Sequence, residues 1–391
     1  MSTPPSGAFG GSAPEPRGTG AHPLTGTSVQ TAYPLGPADR LIACADLLSC
    51  PECGRDLTSR DHALRCPRGH SFDIAKQGYV SLLTGAATKM TGDTPAMLDA
   101  RAAFQRAGHF TPIAAALAAA VAAAPEPPAL PDSRIRVGTA PENTALPDAV
   151  VPPRGGAVTR PGVSMTSASA ARLAATLLRA SPDERRAGTA GTVSPSAPVS
   201  TAPALLEIGS GTGYYLAMAL DARPGARGLA LDVSKPAVRR SARAHERAGA
   251  VLADAWRGLP VRTGAVAAVL SVFAPRNAEE VARVLNPGGR FFVVTPTSRH
   301  LAELIEPLDM VRVDAGKTER LADSLDDRFE LLDRTPVEYR MSLTHTDIAN
   351  VSAMGPSAFH AAEQRAERIA SLPDPFEVTA AVTVSVYRPR G

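Results

Sequence analysis

From Ala204 onward, apolar runs alternate with amphipathic segments, which is the pattern of a doubly wound α/β domain. Strands are predicted at residues 205–208, 228–232, 249–253, 266–273 and 290–295, with 337–343 and 377–387 supplying an antiparallel pair at the sheet edge. Upstream, Thr94 is placed to cap a helix that carries Pro95 in its first turn. Met97, Leu98, Arg101 and Phe104 recur at helical spacing along it, and Gly108 suits its stop. A second helix follows over 112–124 through an alanine run, while 72–83 read as a short strand or hairpin leading into a polar loop at 84–93. Two stretches have no apolar period. Residues 1–37, rich in Gly, Pro, Ser and Thr, predict a disordered tail, and 125–202 read as a low-complexity insertion with one helix-like island at 168–178.

Composition narrows the picture only slightly. The 391 residues are 44% hydrophobic and 20% charged, enough apolar material for a sizeable core and room for two or three domains. A formal charge of +3 leaves nucleic-acid binding to a local patch rather than to the chain as a whole. With neither a run of about 18 apolar residues nor a secretory leader, the expectation is a cytoplasmic protein that does not engage a membrane.

Three of the four cysteines carry the most specific signal. Cys50, Cys53, Cys66 and His70 stand in the spacing C-x2-C-x12-C-x3-H, three soft thiolates and an imidazole that complete a tetrahedral zinc site. Both ligand pairs lie in turns containing Pro and Gly, 50–54 and 66–70, so they predict the tight knuckles of a zinc ribbon rather than a DNA-reading finger with ligands on a helix.

A second signal follows the 205–208 strand, where Gly209, Gly211 and Gly213 form a G-x-G-x-G turn that opens a helix near Tyr214. Such a turn lets a ligand touch bare backbone. Nucleotide, flavin and S-adenosylmethionine (SAM) sites all use one; the spacing here differs from the dinucleotide G-x-G-x-x-G, and the acid Glu207 two positions before the first glycine favours SAM. The absence of Lys-Ser or Lys-Thr after the turn argues against a P-loop. Asp232, ending the second strand, is placed to accept hydrogen bonds from ribose hydroxyls, and Asp254, ending the third, to sit at an adenine edge. A cap or a solvated strand end is the plainer reading of each acid. The run Asn286-Pro287-Gly288-Gly289 predicts a tight turn before the fifth strand.

The ordered set of the zinc quartet, 76–80, 92–93, 97–104, Gly108-His109-Phe110, 207–215, 271–277, 295–304 and 354–356 resembles the 23S rRNA guanine-N1 methyltransferases, including the macrolide-resistance (tylosin-type) methylases of actinomycetes. The resemblance covers 44–124 and 203–388, and departs in the N-terminal tail and the insertion before Glu207. It implies a Rossmann-like class I SAM-dependent methyltransferase domain at 203–391, a zinc-ribbon RNA-binding module at 38–92 and a helical connection at 93–124. It further implies transfer of a methyl group from SAM to guanine N1 in a domain II hairpin of 23S rRNA, with Phe110, Tyr215, Leu216 and His300 touching SAM and two copies pairing. Packing roles in the core or at helix ends are the plainer alternatives for those four residues. Asn277 follows the fourth strand, where this fold places substrate-facing groups, and is the candidate reader of the base; capping the next helix is its alternative. Arg55, Arg60, Arg65, Arg68, Lys76 and Lys89 supply a basic patch around the ribbon, diluted by Glu52, Asp56, Asp61 and Asp73. A small-molecule SAM methyltransferase and a non-catalytic RNA-binding protein are the competing functions.

Overall fold

In the computed structural model, residues 35–85, 90, 92–125, 202–274, 276–312, 324–355 and 362–390 are described. The tail up to residue 34, the 168–178 island with nearly all of the predicted insertion, and Lys89 lie outside them.

The core is an eight-stranded sheet. Its strands are β4 (Tyr79–Ser81), β5 (Ala204–Ile208), β6 (Arg227–Asp232), β7 (Ala248–Leu252), β8 (Val266–Val272), β9 (Leu285–Pro296), β10 (Phe329–Leu343) and β11 (Phe376–Pro389). Their order is β10-β11-β9-β8-β5-β6-β7-β4. The run from β4 to β9 pairs in parallel, and β11 lies antiparallel to both β9 and β10. The central strands β5, β6 and β7 are buried at every position, as expected where both faces of a parallel sheet are covered. One face carries α2 (Pro95–Arg106), α3 (Thr111–Ala123), α4 (Tyr214–Asp221) and α5 (Lys235–Ser241). On the other lie α6 (Ala278–Val284) and the N-terminal α1 (Pro37–Ile42) with the ribbon. Among the described residues the remaining α-helices are α7 (Ala302–Ile305), α8 (His345–Ala353) and α9 (Ala362–Ala370). No helix among the described residues is long and apolar enough to cross a membrane.

The five central strands fall within a residue of their predicted ranges, except that β9 begins earlier. Leu285 pairs with Val266 and Arg290 with Ala268, so 286–289 bulge out of the ladder as the expected turn within one long strand. The edge pair is also found, with both strands longer than predicted. Thr94 caps α2 as predicted, its Oγ1 accepting from the Met97 amide at 3.3 Å.

The segment 72–83 departs from its local reading. The ribbon strands β1 (Thr58–Arg60), β2 (Ala63–Arg65) and β3 (Ser71–Asp73) form their own small antiparallel sheet. Tyr79–Ser81 leaves that sheet and joins the main one beside β7, keeping only an isolated bridge between Ile74 and Val80. Leu48, Leu57 and Leu64 then share one apolar cluster with Val251 and Val261, and Asp46 ion-pairs with the largely buried Arg227 on β6. The ribbon is therefore built into the body of the α/β domain.

Candidate functional site

Two sites can be built from these elements. In the ribbon, the Gly54 amide donates to the Cys50 carbonyl at 2.8 Å and the Gly69 amide to the Cys66 carbonyl at 3.0 Å, closing the two knuckles without a helix. Gly54 and Gly69 turn the chain with φ of 68° and 89°. The four ligand atoms lie within 4.8 Å of one another. His70 Nδ1 stands 3.4 Å from Cys50 Sγ and 3.3 Å from Cys66 Sγ, and Cys53 Sγ is 3.6 Å from Cys66 Sγ. Those separations are too long for a disulfide and match the edges of a tetrahedron with metal–ligand bonds of about 2.0–2.3 Å. The donor set fits zinc.

The second site lies at the carboxyl ends of β5 and β8, where the strand order reverses and open α/β sheets place their ligands. A cavity of about 700 Å³ opens there. Phe110, Glu207, Gly209, Tyr215, Asp232, Asp254 and His300 all line it. The structure thus brings together residues separated by up to 190 positions in the chain.

Asp232 organises the turn. It is 8% exposed, and its two oxygens accept from the Gly211 and Ser234 amides, each at 2.8 Å. Burial nonetheless raises its pKa, the two amides partly offsetting that effect. Glu207 is buried more deeply and accepts from the Leu216 amide at 3.2 Å; desolvation holds its carboxyl well above the usual range. Asp254 accepts from the Trp256 amide at 3.0 Å, so the capping role and a place on the cleft wall coexist. His300 Nδ1 accepts from the Ala381 amide at 3.2 Å, and burial pulls the imidazole pKa down to about 4. The ring is neutral at physiological pH, with its proton on Nε2.

Three predicted cofactor contacts stand off the wall. Leu216 is 1% exposed and turns into the core against Gly228; only its backbone amide serves the site, through Glu207. Gly213 has φ 77°, and a Cβ there would lie 2.6 Å from that of Ala244, so its smallness serves helix packing. Gly211 is covered: a Cβ there would fall 2.7 Å from Arg101 Nη1. Asn277 likewise departs from expectation. It caps α6, its Oδ1 accepting from the Glu280 amide at 3.3 Å, and it does not line the cavity.

Other wall residues had no site role assigned from the sequence. Arg101 donates to Asp93 at 2.6 Å and to the Met354 carbonyl at 2.7 Å, joining three segments above the glycine turn. Gln105 accepts from Thr212 Oγ1 at 2.7 Å. Trp256 and Phe273, 53% and 41% exposed, stand at the cleft. The Tyr215 hydroxyl is buried with no hydrogen-bond partner among the described residues. A cavity lined by Tyr215, Gly209 and the buried acids Glu207 and Asp232, with a phenol hydroxyl that has no partner among the described residues, fits a polar nucleoside-bearing ligand. The residues present fit SAM.

Two family models match the chain. Residues 48–87 match the family model described as RlmA, N-terminal (a zinc ribbon), and 205–289 match the model described as a methyltransferase domain. Among solved structures, a SAM-dependent methyltransferase from Geobacter sulfurreducens in complex with S-adenosyl-L-homocysteine aligns with 48% of this chain and 85% of its own, at 15% identity and a TM-score of 0.33. The 23S rRNA (guanine(748)-N(1))-methyltransferase of Streptomyces fradiae is 39% identical over 343 residues, 88% of this chain and 96% of its own. A provisionally named 23S rRNA (guanine-N(1)-)-methyltransferase of Micromonospora griseorubida is 42% identical over 347 residues, 88% of this chain and 97% of its own. With that identity sustained along nearly the whole of both relatives, this chain belongs to the 23S rRNA (guanine-N1)-methyltransferase family.

Proposed function

We propose that the chain methylates N1 of one guanine in a domain II hairpin of 23S rRNA, using SAM, and that this modification confers macrolide resistance. The observation that carries the reading is the cleft at the sheet's switch point in a chain 39–42% identical to two named rRNA methyltransferases. In its donor half, Asp232 would hold the ribose hydroxyls, Asp254 the adenine edge, and Gly209 with the Tyr215 hydroxyl the methionine end. SAM supplies an electrophilic methyl group on a sulfonium. The protein's contribution is to hold the guanine edge in line with that methyl, since a near-attack geometry accounts for much of the barrier reduction in such a displacement. Guanine N1 carries a proton, so negative charge develops on O6 as that proton leaves, and an N–H donor near O6 stabilises it. His300 is unsuited to be the base, with its Nδ1 committed and its pKa low, but its Nε2–H is suited to donate.

Arg55, Arg60, Arg65, Arg68 and Lys76 are exposed on the ribbon, and we assign them to rRNA phosphates. The exposed acids Glu52, Asp56, Asp61 and Asp73 among them limit that patch. Asn277 is not assigned to the base, because its oxygen is spent on the α6 cap. We further place the protein in the cytoplasm, as a pair of copies. Primer extension on 23S rRNA tests the reading, because N1 methylation blocks Watson–Crick pairing. A new stop at one guanine in cells carrying the gene, absent with Asp232→Ala, is expected; an unchanged ladder contradicts it.

A further inference from the structure

We propose that Phe273 is the platform on which the target guanine stacks while N1 faces the donor, an inference that rests on the rRNA reading above. Phe273 stands just beyond the last residue of β8 with φ 53°, a left-handed backbone that non-glycine residues rarely adopt. Its amide still donates to the Val294 carbonyl at 3.1 Å, so the strand ladder pins this conformation. The next residue, Ala274, packs on the donor turn: a Cβ at Gly209 would fall 2.7 Å from that of Ala274. Phe273 is thereby fixed beside the methionine end of the proposed donor site, where an acceptor must approach.

The ring is braced from within the protein. Its centroid lies 5.7 Å from the His300 ring at an interplanar angle of 22°, 6.2 Å from Phe110 and 6.4 Å from Tyr215. It is nevertheless 41% exposed on the cleft. A large apolar side chain that is left open to water on a strained backbone stabilises the fold poorly on both counts, and strain of this kind gathers at functional sites. A rigid, half-open ring is what a splayed nucleobase needs, since stacking on an aromatic face is how unpaired bases are held. Trp256, the other exposed aromatic of the cleft, sits beside Asp254 at the proposed adenine end, which leaves Phe273 for the acceptor.

The test uses the full chain and a 23S hairpin bearing either the target guanine or an abasic nucleotide. Wild type should methylate the guanine hairpin and bind it more tightly than the abasic one. Phe273→Leu and Phe273→Asn should keep the wild-type Kd for S-adenosylhomocysteine, lose about 5- to 150-fold in kcat/KM and no longer distinguish the two hairpins. Phe273→Tyr should restore both. Because Asn tolerates a left-handed backbone, Phe273→Asn should melt no lower than wild type, which a purely structural ring would not allow. Retention of the hairpin preference by Phe273→Leu, or loss of S-adenosylhomocysteine binding as its main defect, overturns the proposal. A wild-type protein that ignores the hairpin overturns the rRNA reading itself, before any variant is compared.

Discussion

Replacing Asp232 with Asn is nearly isosteric, and its consequence can be worked from the two hydrogen bonds that the carboxylate accepts. One oxygen takes the Gly211 amide and the other the Ser234 amide, both at 2.8 Å and in a site only 8% exposed. An asparagine has one oxygen, so in either orientation its NH2 group faces one of those amides, and one buried donor goes unsatisfied. That costs about 1–3 kcal/mol of stability. In the proposed donor complex, a ribose hydroxyl also loses an ionised acceptor, and hydrogen bonds to charged groups contribute about 1.5–3 kcal/mol. SAM affinity should therefore fall about 10- to 150-fold, while zinc content stays at one equivalent, because no hydrogen bond among the described residues joins the ribbon to Asp232. Isothermal titration with S-adenosylhomocysteine, alongside thermal melting, reads both quantities. Wild-type affinity in Asp232→Asn would refute the assignment of this carboxylate to the donor, and wild-type stability would refute the argument about the turn.

Removing zinc, by chelation or by Cys53→Ser, should lower the melting temperature of the whole protein, because the ribbon shares its apolar cluster with β7 and lends β4 to the main sheet. Metal analysis with calorimetry checks this, and an unchanged transition after zinc loss would refute it. Glu207→Gln should stabilise the protein at neutral pH. The folded carboxyl titrates well above its unfolded value, so the native state binds more protons between the two, and wild-type stability falls as pH rises through that window; glutamine removes the slope. Melting temperatures of both proteins from pH 4 to 8 test the sign, and parallel curves would contradict it. Trp256 is the chain's one tryptophan and lines the donor cleft, so its emission should change saturably as S-adenosylhomocysteine is added, with a midpoint equal to the calorimetric Kd. Emission that is flat through saturation would remove Trp256 from the donor site.

What could be read from the sequence was what repeats locally or clusters at short spacing. The parallel strands showed as apolar runs because both sheet faces are covered, and the zinc quartet showed because its ligands fall within 21 residues. Tyr79–Ser81 reads locally as a short strand or hairpin, and it is a short strand that keeps one antiparallel bridge to Ile74, but its main partner, Ala250–Leu252, lies about 170 residues away, and no short-range pattern reports such a pairing. Arg101 reads only as one member of a helical-period stripe with Met97, Leu98 and Phe104, and its place over the glycine turn emerges once α2 is laid across it. Phe273 looks like the end of a buried strand, and only its positive φ turns it outward. Leu216 and Asn277 show the opposite limit, since each neighbours the site in sequence while its side chain serves the core or a helix cap. The competing small-molecule and non-catalytic readings drop away on the family membership of the chain rather than on any one of these residues.

The central claim is tested most directly by incubating the purified protein with 23S rRNA and SAM labelled on its methyl group, then digesting the RNA to nucleosides. The account predicts one labelled 1-methylguanosine per rRNA molecule. Label in another nucleoside, or none in the RNA while the protein binds the donor, would contradict it.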